Sequence, residues 1–323
     1  MARRLANQLA IEQTGPNQFT SKEAPERMGN AMPIAYGGYT TGIATRAACA
    51  TVPDSFSLYS LVGHFLGPAS TTERLACTVH ATRDTKTFAT RRVVVSQRQA
   101  NGQLRPCLEL LADFHIVEPA LLSYSAPPSI PFTGPGESST ARALAERAVS
   151  KGLMAQELFD QYAFTFSMID QYFDTRTCAQ GLDGQNVMGM LGSQPTDQDH
   201  LPLTERISGD WAKTKEALTS AGEKNAALSF LMDGGLSFLP LWHEKLWFDD
   251  AGACSTLDFA LRLLAPDVDL SNWHLRERKT IAGGFGRSYS ESRLWDEEGN
   301  LVACMTQQCI LRPKPQDKVR AVL

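Results

Sequence analysis

Residues 226–241 of the 323-residue chain read AALSFLMDGGLSFLPL. The stretch is apolar almost throughout, with one carboxylate, Asp233, in its middle and the pair Gly234–Gly235 directly after it. Leu228, Leu231, Leu236 and Leu239 keep roughly helical spacing, while Phe230 and Phe238 fall off that stripe. A helix built from this segment is therefore apolar on most faces, and such a helix is buried, not laid on a surface. Asn225 predicts its N-cap and Pro240 its stop. An unpaired carboxylate in such a place costs several kcal/mol, so Asp233 is either hydrogen-bonded for structure or kept for chemistry.

Composition narrows the surroundings of that helix. A hydrophobic content of 43% against 20% charged residues fits a globular chain with a real core. A net charge of −4 gives no general attraction to nucleic acid or to anionic membranes, so neither is expected as a partner. No window approaches the ~18 apolar residues of a membrane span. The opening MARRLANQLAIEQ has arginines without an apolar run, so no secretory signal is expected. Seven scattered cysteines, none in a CxxC, indicate neither a zinc site nor a disulfide framework. They read as small core residues of an intracellular protein. The terminal Ala321-Val322-Leu323 has the small first residue and final leucine of a peroxisomal address without its basic middle residue, leaving a cytoplasmic or peroxisomal placement.

Along the chain, residues 1–30 read as polar and irregular. YGGYTTG, at residues 36–42, then opens a small-residue-rich helix that Pro53 closes. Strand-like runs follow as SLYSLVGHFLGP, RLACTVHATRD, FATRRVVVSQRQ and LRPCLELLADFHIVE, with Asn101-Gly102 as a hairpin signal between the last two. Residues 119–139 have the Pro, Ser and Gly content of a linker. Residues 140–159 predict one helix outside the main sheet, and YAFTFSMIDQYFDT predicts a strand. A Gly- and Gln-rich stretch runs on to Pro202, LTERISGDWAKT predicts a strand, and the buried helix comes next. Three more strand-like runs end in NLVACMTQQCILRP.

The second half thus repeats the order of the first: strand material, one buried helix, a meander of strands. The closing hairpins RRVVVSQRQANGQLRPC and SRLWDEEGNLVAC even place Cys107 and Cys304 alike. Two tandem copies of one α+β unit, each a helix wrapped by an antiparallel sheet and able to pair edge to edge, are the predicted architecture. The boundaries expected are a first unit over 1–120, a linker with helix over 121–160, and a second unit over 161–323.

At this point the chain resembles the acyl-CoA thioesterase II group of double-hotdog proteins. The resemblance rests on YGGYTTG, HFLGPAS and TRDTKTFATRRVVVSQ in the first half, and on LMDGGLSFLPL, STLDFALRL, NWHLRER and NLVACMTQQCILRP in the second. It implies hydrolysis of acyl-CoA by a water held by an Asp, a Thr or Ser, and a Gln. By position these are Asp233, then Thr256 with Ser255 as alternative, then Gln307 with Gln308 as alternative. On a strand the two glutamines point to opposite faces, so only one reaches the site. Gly234 and Gly235 are the expected points of close substrate approach, and Gly38 with its neighbours is one candidate for the oxyanion hole, which the sequence does not otherwise assign. The resemblance implies no cofactor and no metal. This sequence departs from the family pattern in its Gly-Gly after the Asp and in the insertion near residues 183–202.

Other features read as scaffold. His64 on an apolar strand predicts a core histidine, and Arg91 and Arg92 a split between a salt bridge and solvent. The tryptophans read as core or hairpin residues. The absence of Gx4GK[ST], GxGxxG and GxSxG argues against nucleotide binding and against an α/β serine hydrolase. Hotdog folds carry several acyl chemistries, so a dehydratase, an acyl-transfer enzyme and a non-catalytic acyl-binding protein stand as alternatives. A dehydratase would want a His beside the Asp, and His243, past Pro240, is a poor one. Sheet faces and edges of such units favour assembly, so a homo-oligomer is expected. The first unit has only Thr40, Thr41 and small residues where the second has Asp233, which predicts one active site per chain.

Overall fold

The computed structural model describes residues 4–28, 32–192 and 194–315; the C-terminal Ala321-Val322-Leu323 lies outside them. The chain begins with a helical turn, α1 (Leu5–Gln8), and a hairpin of β1 (Ile11–Gly15) and β2 (Gln18–Ser21) that turns at Asn17 with φ 54°. This corrects the expectation of an irregular start. The hairpin is held by burial of Phe19 and Ser21 and by pairing with a strand far along the chain, which its polar sequence does not announce. Then come α2 (Gly37–Cys49) and a meander of β3 (Phe56–Phe65), β4 (Ala76–Asp84), β5 (Phe88–Arg98) and β6 (Leu104–Ile116).

The segment after β6 is extended up to α3 (Ala141–Ser150) and α4 (Gln156–Tyr172). One helix had been expected over 140–159, but Gly152, at φ 68°, breaks it. YAFTFSMIDQYFDT is corrected as well: most of it belongs to α4, and only its end enters β7 (Phe173–Thr177). Tyr162, Thr165, Met168 and Tyr172 are buried at helical spacing, a period masked by the β-favouring aromatics between them. The second half continues with α5 (Leu182–Asn186), β8 (Ser208–Thr214), α6 (Ala221–Met232), α7 (Leu239–His243), β9 (Ala251–Leu263), β10 (His274–Gly284), β11 (Arg287–Trp295) and β12 (Leu301–Pro313).

All strands join one 12-stranded sheet in the order β1-β2-β4-β5-β6-β3-β9-β12-β11-β10-β8-β7. The join between the halves is the antiparallel pair β3–β9, where Leu61 faces Leu261 and both are fully buried. Alternation along the strands sends Val93, Val95, Leu108 and Leu110 inward to the core. Each such fully buried side chain is worth about 1.5–3 kcal/mol.

α2 and α6 lie side by side in that core and run antiparallel. The start of α2 meets the end of α6, where Tyr36 Oη donates to the carbonyl of Phe230 at 2.6 Å. At the other end Arg46 donates to Ser220 Oγ and pairs with Glu223. The helices touch closely because α2 is built of small residues; a Cβ on Gly42 would lie 3.2 Å from the carbonyl of Ala226. Tyr36, Tyr39 and Phe173 pack around the ring of Phe230, closing the Asp233 end of the helix pair with aromatic surface.

The linker-like stretch is pinned as a strap over the second half. Trp295 Nε1 donates to the carbonyl of Ala126 at 2.8 Å, Trp211 Nε1 to that of Thr133 at 2.7 Å, and Ser129 Oγ to Glu277 at 2.6 Å. His64, expected in the core, is exposed, because its position on β3 alternates with the buried Gly63. Arg91 is buried and reaches out to the exposed Asp84, while Arg92 pairs with Glu109 near solvent. Among the described residues no helix is long and apolar enough to cross a membrane.

Candidate active site

Asp233 stands at the C-cap of α6, not in the middle of a helix over 226–241. Ser220, not Asn225, is the N-cap, its hydroxyl accepting from the amide of Glu223 at 3.2 Å. Gly235 adopts φ 95°, a conformation that terminates the helix and that L side chains rarely take. Pro240 then sits in the first turn of α7, so it opens a helix where it had been expected to end one.

The carboxylate is 7% exposed and has two donors. Gln307 Nε2 donates to Asp233 Oδ1 at 2.8 Å, and the backbone N–H of Gly38, in the first turn of α2, donates as well. The positive end of α2 and the two donors favour the ionised form, yet burial outweighs them and pushes the Asp233 pKa up to about 7. A carboxylate poised there can take a proton at neutral pH, which an ordinary surface Asp does poorly. Gly37 makes room for it: a Cβ there would lie 2.7 Å from Asp233 Oδ2.

Gln307 is fully buried and carries the chain of bonds onward, its Oε1 accepting from Thr256 Oγ1 at 3.2 Å. Gln308 points to the other face of β12, where its Oε1 accepts from Arg287 at 3.1 Å. Thr256 reaches the inner face through an irregularity in register. Gln307 pairs with Phe259 and Gln308 with Asp258, but Cys309 pairs with Thr256, so Leu257 is the extra residue of a β-bulge. Strict alternation from the inward Phe259 and Leu261 would have turned Thr256 outward. The bulge brings it beside Gln307 and leaves Ser255 exposed. Asp233, Thr256 and Gln307 therefore converge, while Ser255 and Gln308 lie outside the cluster.

The two helices match as counterparts, but not in the way the repeat suggested. Since they run antiparallel, the place in α2 that corresponds to Asp233 is its own C-cap, Ala50. YGGYTTG instead lies across from Asp233 and supplies Gly37 and Gly38 to the same cluster. The Cys49–Ala50 end carries no carboxylate.

A second buried cluster escaped the sequence reading. Arg276 Nε and Nη2 bond Asp210 at 3.2 and 2.9 Å, and Arg276 Nη1 donates to the carbonyl of Leu231 at 2.8 Å, fastening the end of α6. Arg278 Nη2 bonds Asp183 at 2.8 Å and Asp210 at 2.7 Å. Burial raises Asp183 to about 6; at Asp210 burial is outweighed by the two arginines, which hold it below the usual carboxylate range. The signal for this cluster was present in NWHLRER, where arginines two apart on a strand share one face. Their partners come from β8 and from the insertion, which no local pattern connects to it. His243 is buried against Ser208 Oγ at 3.0 Å and pushed down to about 3, by burial first and then by Arg278 and Arg206.

A central helix wrapped by antiparallel sheet, twice in one chain and joined edge to edge, defines a double hotdog. The model of the acyl-CoA thioesterase N-terminal domain matches residues 24–115 and that of the C-terminal domain residues 182–311. The chain belongs to this acyl-CoA thioesterase family. Among solved structures, the tesB protein of Mycobacterium avium subsp. paratuberculosis superposes with a TM-score of 0.67 at 16% identity, over 96% of this chain and 98% of that one. The acyl-CoA thioesterase II TesB2 of Mycobacterium marinum gives 0.66 at 19% identity over 96% and 98%. A hot dog fold protein of Alicyclobacillus acidocaldarius gives 0.66 at 15% identity over 97% and 98%. At these identities the likeness speaks to the fold. No curated protein matches the chain at a significant level.

Proposed function

We infer that the chain hydrolyses acyl-CoA or a related acyl thioester to the free acid and the thiol, with Asp233 as general base. The observation that carries this reading is the chain Thr256–Gln307–Asp233, ending on a buried carboxylate whose pKa lies at about 7. Gln307 fixes Asp233 Oδ1 and orients Thr256, whose oxygen keeps lone pairs free to accept. A water placed between Asp233 Oδ2 and Thr256 Oγ1 gives one hydrogen to each and turns a lone pair to the thioester carbonyl. As the new C–O bond forms, Asp233 takes the proton; collapse of the tetrahedral adduct breaks the C–S bond, and the leaving thiolate takes that proton back from Asp233, which returns the carboxylate to its ionised form. General-base action of this kind is worth about 10²–10⁴-fold.

The N–H of Gly38 is engaged by Asp233, so in this reading Gly38 positions the base. Gly234 and Gly235 allow close approach of the acyl chain beside it. The dehydratase alternative finds little support, since His243 is held by Ser208 and stays neutral. Thiol release from a panel of acyl-CoAs tests the reading. Cleavage by the wild-type chain that falls at least 10²-fold in Asp233→Asn, with unchanged circular dichroism, supports it. Failure to cleave any thioester, or full activity in Asp233→Asn, overturns it; hydration of an enoyl-CoA without thiol release would point to the dehydratase instead.

A further inference from the structure

β9 extends well beyond its junction with the first half. It pairs with β12 from Ala251 to Leu263, but with β3 only from Asp258 to Arg262. β3 ends at Phe65, and the chain then keeps to β6, where the N–H groups of Leu66 and Gly67 donate to the carbonyl of Cys107. Residues 251–257 therefore have β12 on one side and, among the described residues, no strand on the other. They read AGACSTL, with no proline, no charge and, up to Thr256, no side chain larger than threonine to cover this edge. Gly252 and Ser255 are exposed, Cys254 and Thr256 half-buried.

The pairing register decides which backbone groups face the gap. Leu311 donates its N–H to the carbonyl of Gly286, at the head of β11, at 2.9 Å, so its backbone points away from β9. Residues opposite each other in an antiparallel pair either exchange both bonds or turn both sets of groups away. Cys254 lies opposite Leu311, and Thr256 opposite Cys309, two residues along β12; both therefore turn N–H and C=O to the open side. Their side chains agree, since both point inward: Cys254 Sγ donates to the carbonyl of Ser237 at 3.0 Å and Thr256 Oγ1 to Gln307. No turn or loop of the described residues gives these two N–H groups a partner. A strand edge left in this state is a template for another extended chain.

We propose that this edge binds the pantetheine arm of acyl-CoA, whose two amides bond the backbone of Thr256 and Cys254 in turn as a short added strand. The proposal rests on the thioesterase reading. Thr256 belongs to both places: its hydroxyl bonds Gln307 on the inner face, and its backbone faces the gap. An arm laid along the edge from Thr256 towards Gly252 thus has its sulfur end beside the candidate base. Outward groups on a strand recur every second residue, ~7 Å apart, and pantetheine carries its two amides either side of one β-alanine unit, within reach of both. Main-chain bonding of this kind recognises the thiol carrier and leaves the acyl chain free.

Amide hydrogen exchange read by NMR locates the arm. The non-cleavable thioether S-hexyl-pantetheine is expected to slow exchange of the Cys254 and Thr256 amides at least ~10-fold relative to the free protein. Absence of that protection overturns the proposal; protection already present in the free protein and lost on dilution assigns the edge to a second copy and overturns it too. Kinetics give an independent reading with one acyl group on three thiols. The value of kcat/KM for hexanoyl-pantetheine, with two amides, is expected to exceed that for hexanoyl-N-acetylcysteamine, with one, and for S-butyl thiohexanoate, with none, by at least ~10-fold across the series. Equal values overturn the proposal. Cys254→Pro removes the outward N–H at a position where it takes no part in the ladder, and is expected to shrink that ratio, while Cys254→Ala, which keeps the N–H, is expected to retain it. The same ratio in both variants overturns the proposal. If no thioester is cleaved, the hydrolysis reading falls, while protection by the thioether upholds the subsite; cleavage without protection keeps the hydrolysis reading and removes the subsite.

Discussion

Gln307 Nε2 donates to Asp233 Oδ1 at 2.8 Å across 74 residues of chain, tying the end of α6 to the inner face of β12. The bond does two things at once. It holds the carboxylate in one rotamer, and it lowers a pKa that burial alone would push higher.

The first consequence is a pH profile. With Asp233 as the proposed base, the ionised form is the active one, so kcat/KM should fall with unit slope below a midpoint at about pH 7 and level off above it. Initial rates of thiol release between pH 5 and pH 9 check this; a flat profile through pH 7 would exclude Asp233 as the base.

Stability should run the opposite way. The folded pKa of about 7 lies above the ordinary value, so the protonated form is favoured by folding. This contribution is full below the unfolded pKa of ~3.9 and is lost as pH rises through about 7, amounting to up to about 4 kcal/mol. Asp233→Asn should therefore melt higher than the wild type at pH 8 and close to it at pH 4.5, while losing activity. Thermal melts of both proteins at the two pH values make the comparison.

Removing the glutamine should act on the base as well as on the rate. In Gln307→Met the carboxylate loses a bond that lowers its pKa, so the midpoint of the rate profile is expected to move above that of the wild type. Thr256→Val removes only the hydroxyl, so the rate should drop about 10²-fold with the midpoint kept. A common midpoint for the wild type and Gln307→Met would contradict the assigned coupling.

Gly37→Ala tests the room left for the carboxylate. The added methyl would lie 2.7 Å from Asp233 Oδ2 and 3.0 Å from the Phe65 ring, so one of them must move. A displacement near 1 Å costs about 10²-fold in rate. The variant should fold, with a loss of about 1–3 kcal/mol measured by urea unfolding, and should show the decrease mainly in kcat.

Arg276→Met should be a stability mutant first. It removes a bidentate partner of the buried Asp210 and frees the Leu231 carbonyl at the end of α6. Breaking a buried pair from one side costs about 3–5 kcal/mol. Adding Asp210→Leu should recover part of that loss, and a double mutant as unstable as the sum of the singles would show that the pair does not act as one unit.

Much of the architecture is legible in the sequence because it rests on local signals that recur. Turn residues, alternating strands and the all-round apolar character of residues 226–232 specify a helix inside a sheet, and the repeat of that order specifies two. Where local signals conflict the reading fails. The aromatics of α4 favour a strand, and the polar hairpin β1–β2 shows no pattern at all, yet both are fixed by distant partners. The insertion reads only as a departure from the family pattern, and nothing in it announces that its Asp183 is 3% exposed in the Arg278 cluster.

The stretch that reads AALSFLMDGGLSFLPL determined by itself that a carboxylate would be buried at the heart of this protein, because apolar side chains on every face leave a helix no surface to occupy. Which groups meet that carboxylate was decided by the tertiary structure alone. The antiparallel packing of α2 on α6 brings Gly37 and Gly38 to it instead of a repeat-related residue. One extra residue at Leu257 turns Thr256 inward, and a bulge leaves no mark in the side-chain pattern from which strand faces are read.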